Sequence, residues 1–165
     1  MTDKALAQYA ARAVALLIAR KQTIAVAESA AGGLITAALL AVPGASACVR
    51  GGIVVYTREI RRAILGISDD EMRGITPSTE AYALLKARRI RERVVTDWAL
   101  TETGAAGPTG SRYGYPPGHA CFAVAGPVEV TRTLETGHSD RVANMQAFAA
   151  AALDLLAEVV AAAPG

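Results

Sequence analysis

The sequence predicts an α/β layered domain built around a mixed sheet of about five strands, and three observations carry that expectation. Segments with helical periodicity are interspersed with short β-branched and apolar runs of strand length. Two of those runs are separated only by Gly126-Pro127, a two-residue break that predicts an antiparallel hairpin and so a sheet that is not purely parallel. Finally, 165 residues with 52% hydrophobic content suit one compact domain, residues 1–165, able to bury a core without disulfide or metal staples.

Residues 3–20 place Leu6, Tyr9, Ala10, Ala13, Leu16 and Leu17 at helical spacing and predict a surface helix with one core face. A strand is expected over 23–27. It meets Ser29, Gly32 and Gly33 where a second helix, 34–41, should begin, and Pro43-Gly44 ends that helix. The next strand is read at 52–56. A short helix over 58–65 then turns Ile60, Ile64 and Leu65 to one side and closes at Gly66. After a polar connection, a helix over 78–93 aligns Ala81, Leu84, Leu85 and Arg88, and 94–103 alternates into a strand. Residues 104–118, GAAGPTGSRYGYPPG, form a long Gly/Pro loop of the kind that is usually functional or mobile. The hairpin strands are 119–125 and 128–134. A last helix, 139–160, starts at Ser139-Asp140 and spaces Val142, Met145, Ala149, Ala152, Leu156 and Val159 along one face.

Composition narrows the function classes. A formal charge of +2, from 17 Lys+Arg against 15 Asp+Glu, is too small for a dedicated nucleic-acid binder, so an anion would be bound locally. Cys48 and Cys121 form no C-x-x-C pair and read as small buried hydrophobes, in keeping with a reducing, cytoplasmic setting. The strongly apolar run around 37–42 falls well short of the roughly 18 residues of a membrane span, and the N-terminus reads as an amphipathic helix, not a leader.

The chemistry-bearing stretch is TIAVAESAAGG, 23–33. A serine at a sharp strand-to-helix turn can present its hydroxyl beside backbone N–H groups that would hold an oxyanion or a phosphate. The commoner reading of Ser29 is a helix N-cap, with Gly32 and Gly33 permitting close packing of helix on sheet. Gly104, Gly107 and Gly110 in GAAGPTG offer backbone donors and room for a ligand, or else simply make turns. Tyr56, Arg58, Arg61 and Arg62 follow a strand end, where guanidinium groups could clamp a carboxylate or phosphate. Lys86, Arg88, Arg89, Arg91 and Arg93 spread around more than one side of a helix, and most of them read as surface charge and not as an RNA-binding patch. His119 and His138 have no Cys/His partner at metal-ligand spacing, so no metal site is expected.

Taken in order, these segments resemble the C-terminal domain of the competence/damage-inducible protein CinA, whose stand-alone members are nicotinamide-nucleotide amidases. Ala27-Glu28-Ser29-Ala30-Ala31-Gly32-Gly33 is similar to the family's A-E-S-C/x-T-G-G. Pro43-Gly44-Ala45-Ser46 and Gly51-Gly52-Ile53-Val54-Val55-Tyr56-Thr57 resemble its P-G-A-S and G-x-V-x-Y-S-N. Gly104-Ala105-Ala106-Gly107-Pro108-Thr109-Gly110 is similar to its G-I-A-G-P-x-G, and Pro117-Gly118 before a strand to its P-V-G-T-V. The ordered set spans nearly the whole chain.

The resemblance implies a three-layer α/β/α fold and hydrolysis of the carboxamide of nicotinamide mononucleotide to nicotinate mononucleotide and ammonia, without metal or cofactor. It places the nucleophile on Ser29 and the assisting tyrosine on Tyr56. It also implies substrate contacts by Glu28, Gly32, Gly33, Arg58, Gly104, Gly107, Thr109 and Gly110, with the phosphate against the glycine loop. Its partner is then a small pyridine nucleotide or a related anionic amide, and self-association into a homo-oligomer is implied as well. The family's lysine base falls on Arg61, which stays protonated and cannot take the serine's proton. The family's Asn and Thr fall on Arg58 and Ala31, and its V-S-x-x segment on Ile75-Thr76-Pro77-Ser78. Two further readings therefore stand beside the amidase: a weak or inactive member that binds a nucleotide or another anion through Arg58, Arg61 and the glycine loop, and a hydrolase of a more anionic amide.

Overall fold

The structure is a computed structural model in which residues 3–164 are described. The elements follow in the order α1 (Asp3–Arg20), β1 (Ile24–Glu28), α2 (Leu34–Leu40), a 3-10 turn (Ala45–Ala47), β2 (Val49–Val54), α3 (Arg58–Ile60) continuing as a π turn (Arg61–Leu65), α4 (Glu80–Val94), β3 (Trp98–Ala105), β4 (His119–Ala125), β5 (Glu129–Glu135) and α5 (Arg141–Ala162). The five strands form one sheet in the order β2-β1-β3-β4-β5. β1 pairs in parallel with β2 and β3, while β3–β4 and β4–β5 are antiparallel. The mixed sheet and the hairpin are as the sequence predicts.

Helices cover both faces of the sheet. On one, α1, α2 and α5 pack on Ile24, Val26, Trp98, Leu100, Phe122 and Val124. On the other, α4 lies over a floor of small side chains, Ala25, Ala27, Ala99, Ala123 and Ala125, and meets it with Ala83, Ala87 and Ile90. So small a floor lets the helix backbone approach the sheet, and Thr101 Oγ1 donates to Ala83 O across the contact at 2.7 Å.

Several boundaries and faces differ from the sequence reading. β2 begins at Val49 and ends before Tyr56. Val94 closes α4 and Val95 is its left-handed C-cap, so β3 starts only at Trp98. The buried face of α4 is Tyr82, Ala83, Lys86, Ala87 and Ile90, offset by two residues and so roughly opposite to the expected Ala81, Leu84, Leu85 and Arg88. In the segment 58–65, Arg61 and Leu65 turn inward while Ile60 and Ile64 are exposed. On α5 the expected stripe is buried except Val142, exposed at its start, and Met145, partly buried, and Asp140 caps the helix by accepting from Ala143 N at 3.0 Å.

α5 is also longer and more apolar than the run considered in the sequence. With a mean hydropathy of 1.6 it could cross a membrane by length and composition, but 56% of that stretch is buried in the fold, against α1 and the sheet. Cys48 and Cys121 are free thiols, buried in the cores on opposite faces of the sheet.

Candidate active site

β1 ends at Glu28, and the turn 29–33 carries the chain into α2. Ser29 is half-buried there, and it is not the N-cap of α2. That place belongs to Gly33, at φ 102°, a left-handed conformation that a side chain would strain. The helix start is capped by the fully buried carboxylate of Glu28, which accepts from Gly33 N at 2.9 Å, Ile35 N at 3.1 Å, Thr36 N at 3.0 Å and Thr36 Oγ1 at 2.6 Å. Glu28 therefore supports the turn from within, with no exposed surface to offer a substrate.

A second buried carboxylate holds the other side of the turn. Glu102 Oε2 accepts from Ser29 N and Ala31 N, each at 2.9 Å. Gly32 N donates to Ser29 O at 3.0 Å. The expectation that several N–H groups of this turn await an oxyanion is thus corrected: four of the five residues 29–33 have spent theirs internally. Among the described residues, the N–H of Ala30 is the one in the turn without an acceptor.

Burial raises the Glu102 carboxyl above its ordinary range, against Lys86 and the two N–H donors, which lower it. Lys86 comes from α4. It is 0% exposed and donates from Nζ to Glu102 O at 2.7 Å, with Ala27 O at 3.5 Å. Desolvation pushes its ammonium down to about 8, while Glu102 and Glu28 act in the opposite sense. The reading of Lys86 as surface charge is therefore wrong. Its signal lay in the sequence: Lys86 stands at the centre of the stripe 82-83-86-87-90, on the side of the helix opposite the expected 81-84-85-88.

Beside β1, the parallel β2 delivers Tyr56 just past its end, where it is 61% exposed. Arg141, at the first position of α5, donates from Nη2 to Tyr56 Oη at 3.1 Å and from Nη1 to Gly107 O at 2.5 Å. One guanidinium thus joins the tyrosine to the glycine loop, and no local pattern marked it. Asn144, one helical turn on, fixes the same loop by donating to Ala106 O at 2.8 Å. Gly32 lies under the same helix, since a Cβ there would meet Met145 Cε at 2.7 Å. The turn 29–33, Tyr56, the Gly107 loop and the start of α5 therefore meet at the C-terminal ends of the parallel strands, the end at which open α/β sheets bind ligands.

The glycine loop is packed tightly. Gly107 has φ 109° and precedes a cis Pro108, and a Cβ on it would stand 2.7 Å from Ser139 O. A Cβ on Gly104 would press on His119 O, and one on Gly110 on Tyr115 O. Thr109 and Gly110 are exposed at the tip.

Arg58 and Arg61 are not joined to Ser29 or Tyr56 by any hydrogen bond among the described residues. With Arg62 they converge on Asp69, and the Arg61–Asp69 contact is 2.5 Å. Arg61 is 6% exposed, and its Nε is buried without a partner. His119 is buried, stacked on Tyr115 at 4.2 Å and 2.8 Å from Ser78 O, while His138 is exposed. Among the described residues no group of three or more His, Cys, Asp or Glu is placed to hold a metal ion. A shallow apolar depression lined by Leu40, Val42, Pro43, Ala45 and Val49 lies at the other end of α2, away from Ser29.

Comparison with known proteins agrees with this architecture. The family model of the CinA C-terminal domain matches residues 6–160. A CinA-like protein of Gloeobacter violaceus is 39% identical over 126 residues, which is 76% of this chain and 29% of that protein. One from Chlorobaculum tepidum is 37% identical over 145 residues, 85% of this chain and 34% of that protein. The chain thus spans about a third of the length of these curated relatives. Among solved structures, competence damage-inducible protein A from Klebsiella pneumoniae superposes with a TM-score of 0.89 at 26% identity, covering 96% of this chain and 99% of that one. The competence/damage inducible protein CihA from Agrobacterium tumefaciens superposes with a TM-score of 0.85 at 27% identity, over 94% of each chain.

Proposed function

Because the chain belongs to the CinA C-terminal domain family, we propose that it is an amide hydrolase that uses Ser29 to release ammonia from the carboxamide of nicotinamide mononucleotide. The observation that carries this reading is the placement of Ser29. It stands half-buried at the end of a central parallel strand, on a turn immobilised by two buried carboxylates. Such a turn holds a nucleophile in one position without spending binding energy to order it.

In this reading Ser29 Oγ attacks the carboxamide carbon, and the developing oxyanion turns to the free Ala30 N–H, the residue next to the nucleophile. Tyr56 assists from the neighbouring strand end, its hydroxyl oriented by Arg141. Arg141, Arg58 and the exposed tip of the glycine loop supply charge and donors for the phosphate. The reaction needs no metal or cofactor, and the two free thiols, Cys48 and Cys121, suit a reducing cytoplasmic setting.

The test is ammonia release from purified protein given nicotinamide mononucleotide, with Ser29→Ala alongside. Ser29→Ala should lose at least about 1,000-fold in rate, and activity surviving that change would remove the nucleophile assignment. A second reading is favoured by one observation: Arg61, in the position of the family's lysine, is a permanent cation committed to Asp69. On that reading the site binds a nucleotide or another anion without turning it over. Equilibrium binding without ammonia release, and a gain of turnover in Arg61→Lys, would select it.

A further inference from the structure

Lys86 is the buried group to which the amidase reading assigns no part. It is 0% exposed on the face of α4 that rests on the alanine floor, where an ammonium is costly unless something requires it. Its Nζ reaches the seam between two parallel strands. The β1–β3 pairing ends at Ala27 and Thr101, and the carbonyls near Nζ are those of Ala27 and Glu102, where the strands part.

That seam lies against Ser29 by two independent routes. Along β1, Ala25 and Ala27 face α4, Ile24 and Val26 face the opposite layer, and Glu28 follows them into α2. The same alternation assigns Ser29 to the α4 side, two residues beyond the carbonyl that Lys86 approaches. Across β3, one residue is common to both groups. Glu102 accepts from Lys86 through its main-chain oxygen and from Ser29 N–H through Oε2, while its Oε1 is buried without a partner.

We infer that Lys86 is the base that takes the proton of Ser29, the task that Arg61 cannot perform. The inference rests on Ser29 being the nucleophile. No hydrogen bond joins Nζ to Ser29 Oγ among the described residues, so the proton transfer requires rotation about the last bonds of the lysine or one intervening water.

The neutral amine's lone pair removes the hydroxyl proton while Oγ bonds to the carboxamide carbon and the carbonyl electron pair moves onto oxygen. Collapse of that intermediate breaks the C–N bond, and the lysine ammonium returns the proton to the departing nitrogen, which leaves as ammonia. Water then hydrolyses the ester and restores Ser29. The charged and titratable groups facing Lys86 are Glu102 on β3, Glu28 on β1 and Tyr82 on its own helix, whose ring centroid is 5.2 Å away. Desolvation outweighs the two carboxylates and leaves the amine titrating at about 8, so base-competent Lys86 increases as pH rises through that value.

The test is the rate at which a serine-directed fluorophosphonate labels Ser29, located by peptide mass spectrometry, against pH. This probe reads activation of Ser29 whatever the natural amide is. The parent rate should climb with pH and level off above about 8. Lys86→Met and Lys86→Arg should lose about 100-fold or more and lose that climb. Methylamine should restore Lys86→Ala by about tenfold or more, in proportion to its free-base fraction, a rescue that a merely structural plug would not show.

Labelling of Lys86→Met within about threefold of the parent, with the same climb, overturns the assignment. So does a parent rate that is flat with pH, which needs no variant to fold, or a parent Ser29 that does not react. Ammonia release separates this from the function. Lysine-dependent labelling without turnover of nicotinamide mononucleotide refutes the substrate and keeps the base. Turnover lost in Ser29→Ala and kept in Lys86→Met refutes the base and keeps the amidase.

Discussion

The carboxylate of Glu102 holds the N–H groups of Ser29 and Ala31 while its main-chain oxygen holds the ammonium of Lys86. One residue therefore sets both the position of the serine and the charge balance beneath it. Glu102→Gln tests the two roles apart. The amide oxygen can still accept from both N–H groups, but the negative charge that favours the protonated lysine is gone. The pH at which Ser29 labelling climbs should then move below about 8, read from the same rate–pH curve. Arg61 is the residue where identity mattered most in the sequence. Its replacement of a lysine was legible at once, whereas the lysine buried across the sheet seam was not. Lys86 was grouped with Arg88, Arg89, Arg91 and Arg93 because a run of basic residues on a helix spreads around more than one side.

At the scale of elements, α2 is a helix of seven residues whose start is held by the preceding strand. Isolated helices that short do not persist in water, so the four bonds to Glu28 and the packing of Ile35, Ala38 and Leu39 make it a helix. Glu28→Ala leaves one buried and two part-buried N–H donors without their acceptor and should cost about 3 kcal/mol in urea denaturation. The amides of Gly33, Ile35 and Thr36 should also lose protection from hydrogen exchange. Gly33→Ala tests the turn from the other side. A left-handed residue with a Cβ costs about 1–2 kcal/mol, and the space beside it is ordinary, with Val54 Cγ2 at 3.8 Å, so strain alone should appear in the melting curve.

For the whole molecule, a charged lysine under a sheet makes stability depend on pH. Lys86 titrates at about 8 when folded, against an ordinary 10.5. Between those values the unfolded chain holds a proton that the folded chain has released, so stability rises with pH across that window and is independent of this group below it. The rise amounts to about 3 kcal/mol at about 1.4 kcal/mol per unit, and Lys86→Met should remove it from a series of denaturation curves. In the acid range the opposite sense holds. Glu71, Glu80, Glu129 and Glu158 are held below their ordinary values by hydrogen bonds to Ser68, Thr131, Arg88 and Arg132, and their contribution is lost as pH falls through those lowered values.

The sequence alone determined the class of fold, the number of strands and the antiparallel hairpin, and it singled out the stretch 23–33 as the candidate site. Those follow from periodicity and turn chemistry, which act between residues close in the chain. It could not determine which face of α4 is buried, because that depends on an alanine floor supplied by three different strands. Nor could it determine that Ser29 leaves the capping of α2 to Gly33 and Glu28, or that the N–H groups of its turn are already spent, because their acceptor, Glu102, is 73 residues away. Tyr56 meets Arg141 across 85 residues. Only the tertiary structure settles such pairings, since buried polar groups take whatever partner the folded backbone brings within reach.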